Sequence, residues 1–114
     1  MSAAKKILII EDDSTIRTIL MHVLSEQGYE IVDCMFLHEA KELLKSNEFD
    51  LIISDIGLPD GNGLDFCSQY AQIPFVSMSA TEGIAPLALA SGAKAFIEKP
   101  FAVEEMLSAV KHVI

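Results

Sequence analysis

Unbroken aliphatic runs recur along the chain, and each is followed by polar or turn-forming residues. The runs within 6–10 and 51–55 hold four and three consecutive aliphatic residues. Such runs are typical of strands buried on both faces of a parallel sheet. Less regular apolar runs predict further strands at 29–34, 74–79 and 95–98. We therefore expect five strands.

Between these strands, apolar residues recur at the spacing of a helix. The first stripe consists of Ile16, Ile19, Leu20, Val23 and Leu24. Ser14 is predicted to be the N-cap of this helix, Asp13 lies near its positive N-terminus, and Gly28 is predicted to end it. Further helices are predicted at 37–46, from about 64 to 72, at 84–91 and at 103–113.

Strand and helix alternate five times, which is typical of βαβ units with right-handed crossovers. This alternation predicts an α/β fold of three layers, in which a parallel five-stranded sheet carries helices on both faces. The 114 residues suffice for one core, so a single domain over 1–114 is expected. The carboxyl ends of all strands then lie at one edge of the sheet, where open α/β sheets bind ligands.

The charge of the chain limits its partners. The formal net charge is −9, and so acidic a surface disfavours direct binding to nucleic acid. The apolar runs are too short to cross a bilayer, and the N-terminus shows no signal-peptide pattern, so we expect no membrane association and a cytoplasmic location. Cys34 and Cys67 have no metal-type spacing and are predicted to be small core residues.

Reactive side chains follow four of the five predicted strands. Glu11 and Asp12 follow the first strand, Asp55 ends the third, Ser79 ends the fourth and Lys99 follows the fifth. Crowded carboxylates repel one another, and a divalent cation such as Mg²⁺ relieves that repulsion. A carboxylate is also a nucleophile towards phosphorus, and phosphoryl transfer depends chiefly on positioning and charge neutralisation. The set therefore indicates Mg²⁺-assisted phosphorylation of Asp55, with Gly57 in a loop that can turn a carbonyl inward.

Taken together, these residues resemble the response-regulator receiver domains of two-component signalling. The resemblance covers nearly the whole chain and rests on 7–13, 51–55, Leu58-Pro59 with Gly61 and Gly63, Ser79-Ala80 and 92–101. It implies a flavodoxin-like (βα)5 fold whose strands lie in the order 2-1-3-4-5. It also implies a phosphohistidine donor on a sensor histidine kinase or a histidine phosphotransfer protein.

The resemblance assigns roles to the residues of the predicted site. It implies that Asp55 accepts the phosphoryl group, that Asp12 binds Mg²⁺ directly, that Glu11 acts through water, and that Gly57 offers its carbonyl to the ion. It further implies that Lys99 binds the phosphoryl group.

The family also has a switch, and the resemblance assigns it here. Ser79 matches the switch hydroxyl and Phe96 the switch aromatic. The fourth helix, fifth strand and fifth helix would form the surface that changes for an unidentified output partner or for a homodimer. The Lys99-Pro100 peptide bond is expected to be cis.

The sequence also departs from the family pattern. The third helix is expected to be truncated, and the fourth helix to be short and apolar, with Pro86 near its start. At least one of Ile84, Leu87 and Leu89 is expected to be exposed there. Ala102 replaces a polar N-cap before the last helix, at a cost of about 1 kcal/mol. No output domain is expected in this chain, which leaves open a stand-alone receiver or a piece of a longer protein.

Three other functions are less well supported by the sequence. A Mg²⁺-dependent phosphatase of the haloacid-dehalogenase type requires an acid two residues after the nucleophile, where this chain has Gly57. A flavodoxin-like cofactor carrier requires a hydroxyl- and glycine-rich loop where this chain has Glu11, Asp12 and Asp13. A degenerate receiver that only binds proteins is disfavoured by the intact acids, Ser79 and Lys99. The three histidines, His22, His38 and His112, are expected on helices away from the strand ends.

Overall fold

A computed structural model describes residues 4–114, so the first three residues of the predicted domain lie outside the described part. The elements in chain order are β1 (Lys6–Ile10), α1 (Ser14–Glu26), β2 (Glu30–Cys34), α2 (Leu37–Ser46), β3 (Leu51–Asp55), β4 (Gly57–Leu58), β5 (Gly61–Asn62), α3 (Gly63–Gln69), β6 (Phe75–Ser79), α4 (Ala85–Ala90), β7 (Ala95–Glu98) and α5 (Val103–Val113). Five parallel strands form the main sheet in the order β2-β1-β3-β6-β7. This order is the expected 2-1-3-4-5, because two further short strands, β4 and β5, lie outside the main sheet.

The sheet separates two hydrophobic clusters, which gives the predicted three layers. Alternate residues of each buried strand point to opposite faces. One face packs Ile7, Ile9, Leu51 and Ile53 against α1 and α5, with Leu20, Leu24, Met106 and Val110 buried. The other face packs Leu8, Ile10 and Ile52 against α2 and α3, with Ala40, Phe66 and Cys67 buried. Every residue of the central strand β3 is buried.

The structure corrects two predictions about the first helix. Asp13, not Ser14, is the N-cap of α1: one carboxylate oxygen of Asp13 accepts hydrogen bonds from the backbone N–H of Thr15 at 2.9 Å and of Ile16 at 3.0 Å. Ser14 is the first residue of the helix. Ile19 belongs to the predicted apolar stripe but is 44% exposed, and it lines a surface groove together with Phe101 and Val103.

The other helices agree with the sequence apart from their ends. Helix α3 ends at Gln69 and not near 72, because Tyr70 leaves helical geometry and its carbonyl accepts a turn bond from Ile73 N. Helix α4 has six residues, and Ala102 caps α5 without a side-chain hydrogen bond, as expected. The Lys99-Pro100 bond is cis, and both cysteines are buried and free, also as expected.

The turn predicted between β3 and α3 contains the antiparallel hairpin β4–β5, which the sequence did not predict. Gly57 pairs with Asn62, and Leu58 pairs with Gly61. We call residues 57–62 the metal loop, because Gly57 was assigned to the metal site. Leu58 is buried with Leu37 of α2 in one of the two clusters. The loop thus lies against α2 and not free in solvent.

Candidate functional site

The residues predicted to form the site meet at the carboxyl edge of the main sheet. Glu11 and Asp12 follow β1, Asp55 ends the adjacent central strand β3, and Lys99 follows the edge strand β7. One carboxylate oxygen from each of Glu11, Asp12 and Asp55 lies within 4.8 Å of the other two. The parallel sheet therefore brings together acids that are separated by more than forty residues of sequence.

Lys99 bridges two of these acids. Its ammonium group donates a hydrogen bond to Oδ2 of Asp55 at 2.8 Å and a second to Oε1 of Glu11. The lysine side chain is largely buried, Asp55 is buried, and Glu11 is fully buried. One lysine thus partly neutralises two carboxylates whose burial would otherwise be costly.

The pKa values of Glu11 and Lys99 reflect both their burial and the hydrogen bonds between them. Burial raises the pKa of Glu11 to about 7, against the lowering effect of the hydrogen bond from Lys99 and with the further raising effect of Asp55. Burial alone would lower the pKa of Lys99, but hydrogen bonds to Asp55 and Glu11 outweigh it and hold that pKa above its ordinary value. The carboxylate of Glu11 therefore holds a proton more readily than an exposed glutamate does.

A divalent cation suits this donor set. Among the side chains of residues 4–114, Oε2 of Glu11 is the buried polar atom that lacks a hydrogen-bond partner. A buried, unpaired carboxylate oxygen beside two further carboxylates is what a hard cation with oxygen ligands would satisfy. Asp12, Asp55 and the Gly57 carbonyl could supply direct ligands, and Glu11 a ligand through water.

The remaining predicted residues surround the acids. Oγ of Ser79 is buried and accepts a hydrogen bond from Thr81 N at 3.0 Å, so it caps the turn after β6. Gly57 is exposed, and its backbone N–H donates to Oδ1 of Asp55 at 3.1 Å. Phe96 lies half-buried on β7 beside Ser77 of β6. A cavity of about 340 Å³ opens beside Gly57 and Ser79.

Sequence reasoning missed two residues that hold the loops of the site. The guanidinium of Arg17 donates from Nη1 to the backbone carbonyl of Glu11 at 2.9 Å and from Nε to Asp33 at 3.1 Å. Asp60, at the tip of the metal loop, accepts hydrogen bonds from the first turn of α2. A charged residue in the first turn of a helix, or an aspartate before a glycine, gives no local sign of such a distant partner.

All three histidines lie on helices, as expected; His22 and His112 lie away from this edge, whereas His38 lies beside it, in contact with the metal loop. His22 is on α1 within 3.3 Å of Glu26, and His112 is near the end of α5. Nδ1 of His38, on the first turn of α2, lies 2.8 Å from Oδ2 of Asp60. None of the three is within the acidic cluster Glu11, Asp12 and Asp55.

Comparison with known proteins agrees with this geometry. The family model described as "Response regulator receiver domain" matches residues 7–111. The swarming motility regulation protein RssB of Serratia marcescens is 35% identical over 113 residues, which cover 94% of this chain and 52% of that protein. The uncharacterized transcriptional regulatory protein YcbL of Bacillus subtilis (strain 168) is 34% identical over 112 residues, covering 94% of this chain and 50% of that protein. The chain spans about half the length of these curated relatives.

Solved structures give the same result for the fold. The chemotaxis response regulator CheY4 of Vibrio cholerae superposes with a TM-score of 0.89 at 28% identity, covering 97% of this chain and 99% of that one. A two-component response regulator from Clostridium difficile superposes with a TM-score of 0.88 at 32% identity, covering 95% and 93%. With an acidic edge, a parallel 2-1-3-4-5 sheet and a family match over nearly its whole length, the chain belongs to the response regulator receiver domain family.

Proposed function

We propose that residues 1–114 act as one receiver domain that accepts a phosphoryl group on Asp55 from a phosphohistidine, with Mg²⁺ bound. The observation that carries this proposal is the position of the Asp55 carboxylate, buried at the end of the central strand between Lys99 and the other two acids. The donor would be a sensor histidine kinase or a histidine phosphotransfer protein.

The proposed transfer exchanges one bond to phosphorus for another. A carboxylate oxygen of Asp55 forms the new P–O bond while the P–N bond of the donor breaks, and the imidazole nitrogen keeps the electron pair. Oδ1 and Oδ2 of Asp55 are oriented by Gly57 N and by the Lys99 ammonium. Bound Mg²⁺, held by Asp12, Asp55 and the Gly57 carbonyl with Glu11 acting through water, would supply charge neutralisation for the phosphoryl oxygens.

One feature of the surface beside the site supports a protein donor. An apolar groove of about 170 Å³ lies next to Lys99, between Ile16 and Ile19 of α1 and the segment Pro100, Phe101 and Val103. Because the phosphohistidine must reach Asp55, the donor has to cover this rim of the site. The exposed side chain of Ile19 would then be buried by the donor.

The domain would relay the modification rather than turn over an external substrate. The position two residues after Asp55 is Gly57, which has no side chain to act as a general acid, so only self-phosphorylation and slow autodephosphorylation are proposed. Ser79 would turn from Thr81 N to donate to a phosphoryl oxygen, and Phe96 would move into the space vacated. The changed surface would be α4, β7 and α5.

The surface proposed to change carries exposed apolar side chains, as the sequence predicted. Leu87 and Leu89 of α4 are 58% and 52% exposed, whereas Ile84 is half-buried. Two exposed leucines on so short a helix favour a protein contact there, either with an output partner or with a second copy of the chain.

Every helix within residues 4–114 is too short or too polar to cross a membrane. We place the domain in the cytoplasm, where histidine kinases present their phosphohistidine.

Phosphorylation with a small donor tests the proposal directly. The protein is incubated with acetyl phosphate and Mg²⁺, and its intact mass is measured. Wild type should gain one acid-labile phosphoryl group, and Asp55→Ala should gain none. Asp65→Ala, which removes an exposed acid from the first turn of α3, serves as the matched control and should be labelled like wild type. Equal labelling of wild type and Asp55→Ala would exclude Asp55 as the acceptor.

A further inference from the structure

The tip of the metal loop is bonded to a helix that supplies no residue to the site. Oδ1 of Asp60 accepts a hydrogen bond from Leu37 N at 2.9 Å, and Oδ2 accepts one from His38 N at 3.0 Å. The ring Nδ1 of His38 lies 2.8 Å from the same Oδ2. The carboxylate of Asp60 thus spans the first turn of α2 from a segment that is more than twenty residues away in sequence.

Helix α2 depends on this bond because its own N-cap cannot supply it. The first N–H groups of a helix have no partner within the helix. The N-cap of α2 is Phe36, whose side chain makes no capping hydrogen bond. Glu39 accepts from Met35 N at 3.0 Å and Phe36 N at 3.1 Å, and Asp60 accepts from the next two N–H groups.

The charge on Asp60 is stabilised by these donors. Burial acts to raise the pKa of Asp60, but the hydrogen bonds from the backbone of His38 and Leu37 and from the His38 ring lower it to about 2. A carboxylate at the N-terminus of a helix is further favoured by the helix dipole. Asp60 is therefore ionised and bonded over the whole physiological pH range.

The base of the same loop is bonded to the acceptor strand. Gly57 N donates to Oδ1 of Asp55, and Gly63 N donates to the carbonyl of Ile56 at 2.8 Å. Gly57 therefore lies between two attachments of the loop. One is its own hydrogen bond to Asp55 at the end of β3, and the other is the pair of hydrogen bonds from α2 to Asp60. The pairing of β4 with β5 transmits the position of the tip to Gly57, because Gly57 pairs with Asn62 and Leu58 with Gly61.

We propose that Asp60 is a positioning residue for the metal site, which holds the loop that carries Gly57 against the N-terminus of α2. The proposal rests on the proposed function, since it assumes that the Gly57 carbonyl binds Mg²⁺. Asp60 acts through Gly57 and touches neither the ion nor the phosphoryl group. Loss of its carboxylate releases the tip of the loop and leaves the carbonyl of Gly57 less well ordered for the ion.

Four variants separate this role from a general effect on stability. Asp60→Ala removes the hold on the loop, and Asp60→Asn keeps one acceptor oxygen as a conservative variant. Glu39→Ala removes the other capping carboxylate of α2, with the same change in charge but no contact to the loop. Asp65→Ala removes an exposed acid of the neighbouring helix α3. Mg²⁺ affinity is measured by calorimetric titration well below every melting temperature, and stability by urea unfolding.

We expect Asp60→Ala to weaken Mg²⁺ binding on the order of tenfold, the low end for loss of a residue that supports a metal ligand. Asp60→Asn should recover part of the loss, and the amide resonance of Gly57 should shift in the metal-free Asp60→Ala protein. Glu39→Ala should lower the urea midpoint with unchanged Mg²⁺ affinity. Asp65→Ala should bind Mg²⁺ like wild type.

Two results would overturn the inference alone. One is equal Mg²⁺ affinity of Asp60→Ala and Asp65→Ala while wild type binds the ion. The other is an equal loss of affinity in Glu39→Ala, because capping of α2 rather than the hold on the loop would then be responsible. If Asp60→Ala does not fold, Asp60→Asn is compared with the same controls. Failure of wild type itself to bind Mg²⁺ would overturn the proposed function.

Discussion

Gly63, the first residue of α3, is packed directly against the backbone that carries the acceptor carboxylate. A Cβ atom built at Gly63 would lie 2.6 Å from the carbonyl oxygen of Asp55, 2.6 Å from Cα of Ile56 and 2.9 Å from the carbonyl oxygen of Ile56. All three are backbone atoms, so no rotation of a side chain relieves the overlap. Gly63→Ala must therefore displace either the start of α3 or the end of β3.

The cost follows from this geometry. Extra methyl groups in a packed core typically cost about 1–3 kcal/mol, and a collision with rigid backbone belongs at the upper end of that range. Alanine offsets up to about 1 kcal/mol of this, because it is the better helix former. We expect a net loss of about 2 kcal/mol in the free energy of unfolding. Mg²⁺ binding should also weaken, since the added methyl group presses on the backbone carbonyl of Asp55.

Gly57→Ala, at the start of the metal loop, is the matched control. A Cβ atom at Gly57 would meet no atom within 4 Å, and the carbonyl assigned to the ion is retained. Its free energy of unfolding should remain within about 0.5 kcal/mol of wild type. Both variants are measured by urea unfolding without metal and by Mg²⁺ titration. Equal urea midpoints for Gly63→Ala and Gly57→Ala would show that the backbone yields at little cost, and the reasoning from close approach would be wrong.

Three further predictions concern the charges of the site. Lys99→Met should destabilise the metal-free protein by about 3–5 kcal/mol, because the buried carboxylates lose their cation. When thermal unfolding is measured, Mg²⁺ should restore more stability in this variant than in wild type. Asp12→Ala should weaken Mg²⁺ binding in calorimetry more than Glu11→Ala does, since Asp12 is assigned direct contact; equal effects would contradict that assignment. Because the folded pKa of Glu11 is about 7 against an ordinary 4.5, the native state binds more protons between these values, so metal-free stability should rise as the pH falls from 7 to 4.5. Glu11→Gln should flatten that rise in urea unfolding at a series of pH values, and an unchanged slope would assign it to another group.

The sheet and the acidic edge were predictable because local pattern and topology agree. Continuous aliphatic runs have few alternatives to buried strands, and parallel strands place their ends together whatever the details of the helices. Glu11, Asp55 and Lys99 could therefore be brought together from sequence alone. The approach of Lys99 to both acids within hydrogen-bond reach is consistent with this prediction.

The features that the sequence did not predict have two causes. Either two neighbouring residues give equivalent local signals, or the structure depends on a contact with a distant partner. Asp13 and Ser14 are both good N-caps, and the carboxylate of Asp13 is the one placed to reach two N–H groups. The end of α3 was set by the turn at Tyr70, where apolar spacing alone allowed three more residues. The hydrogen bonds between Asp60 and α2 join residues more than twenty positions apart, and no local sequence pattern predicts such a partner.

Because α4 is short, its backbone hydrogen bonds should open locally more easily than those of the sheet. The helix has six residues, no side-chain cap at its N-terminus and one buried residue, Ala88. Segments with few buried apolar contacts exchange their amide hydrogens through low-energy local openings, whereas buried central strands exchange through global unfolding. Amides of α4 should therefore exchange orders of magnitude faster than those of β3. Asp55 thus lies on a strand that we expect to exchange only through global unfolding, while the helix proposed to change on its phosphorylation should open locally at small cost.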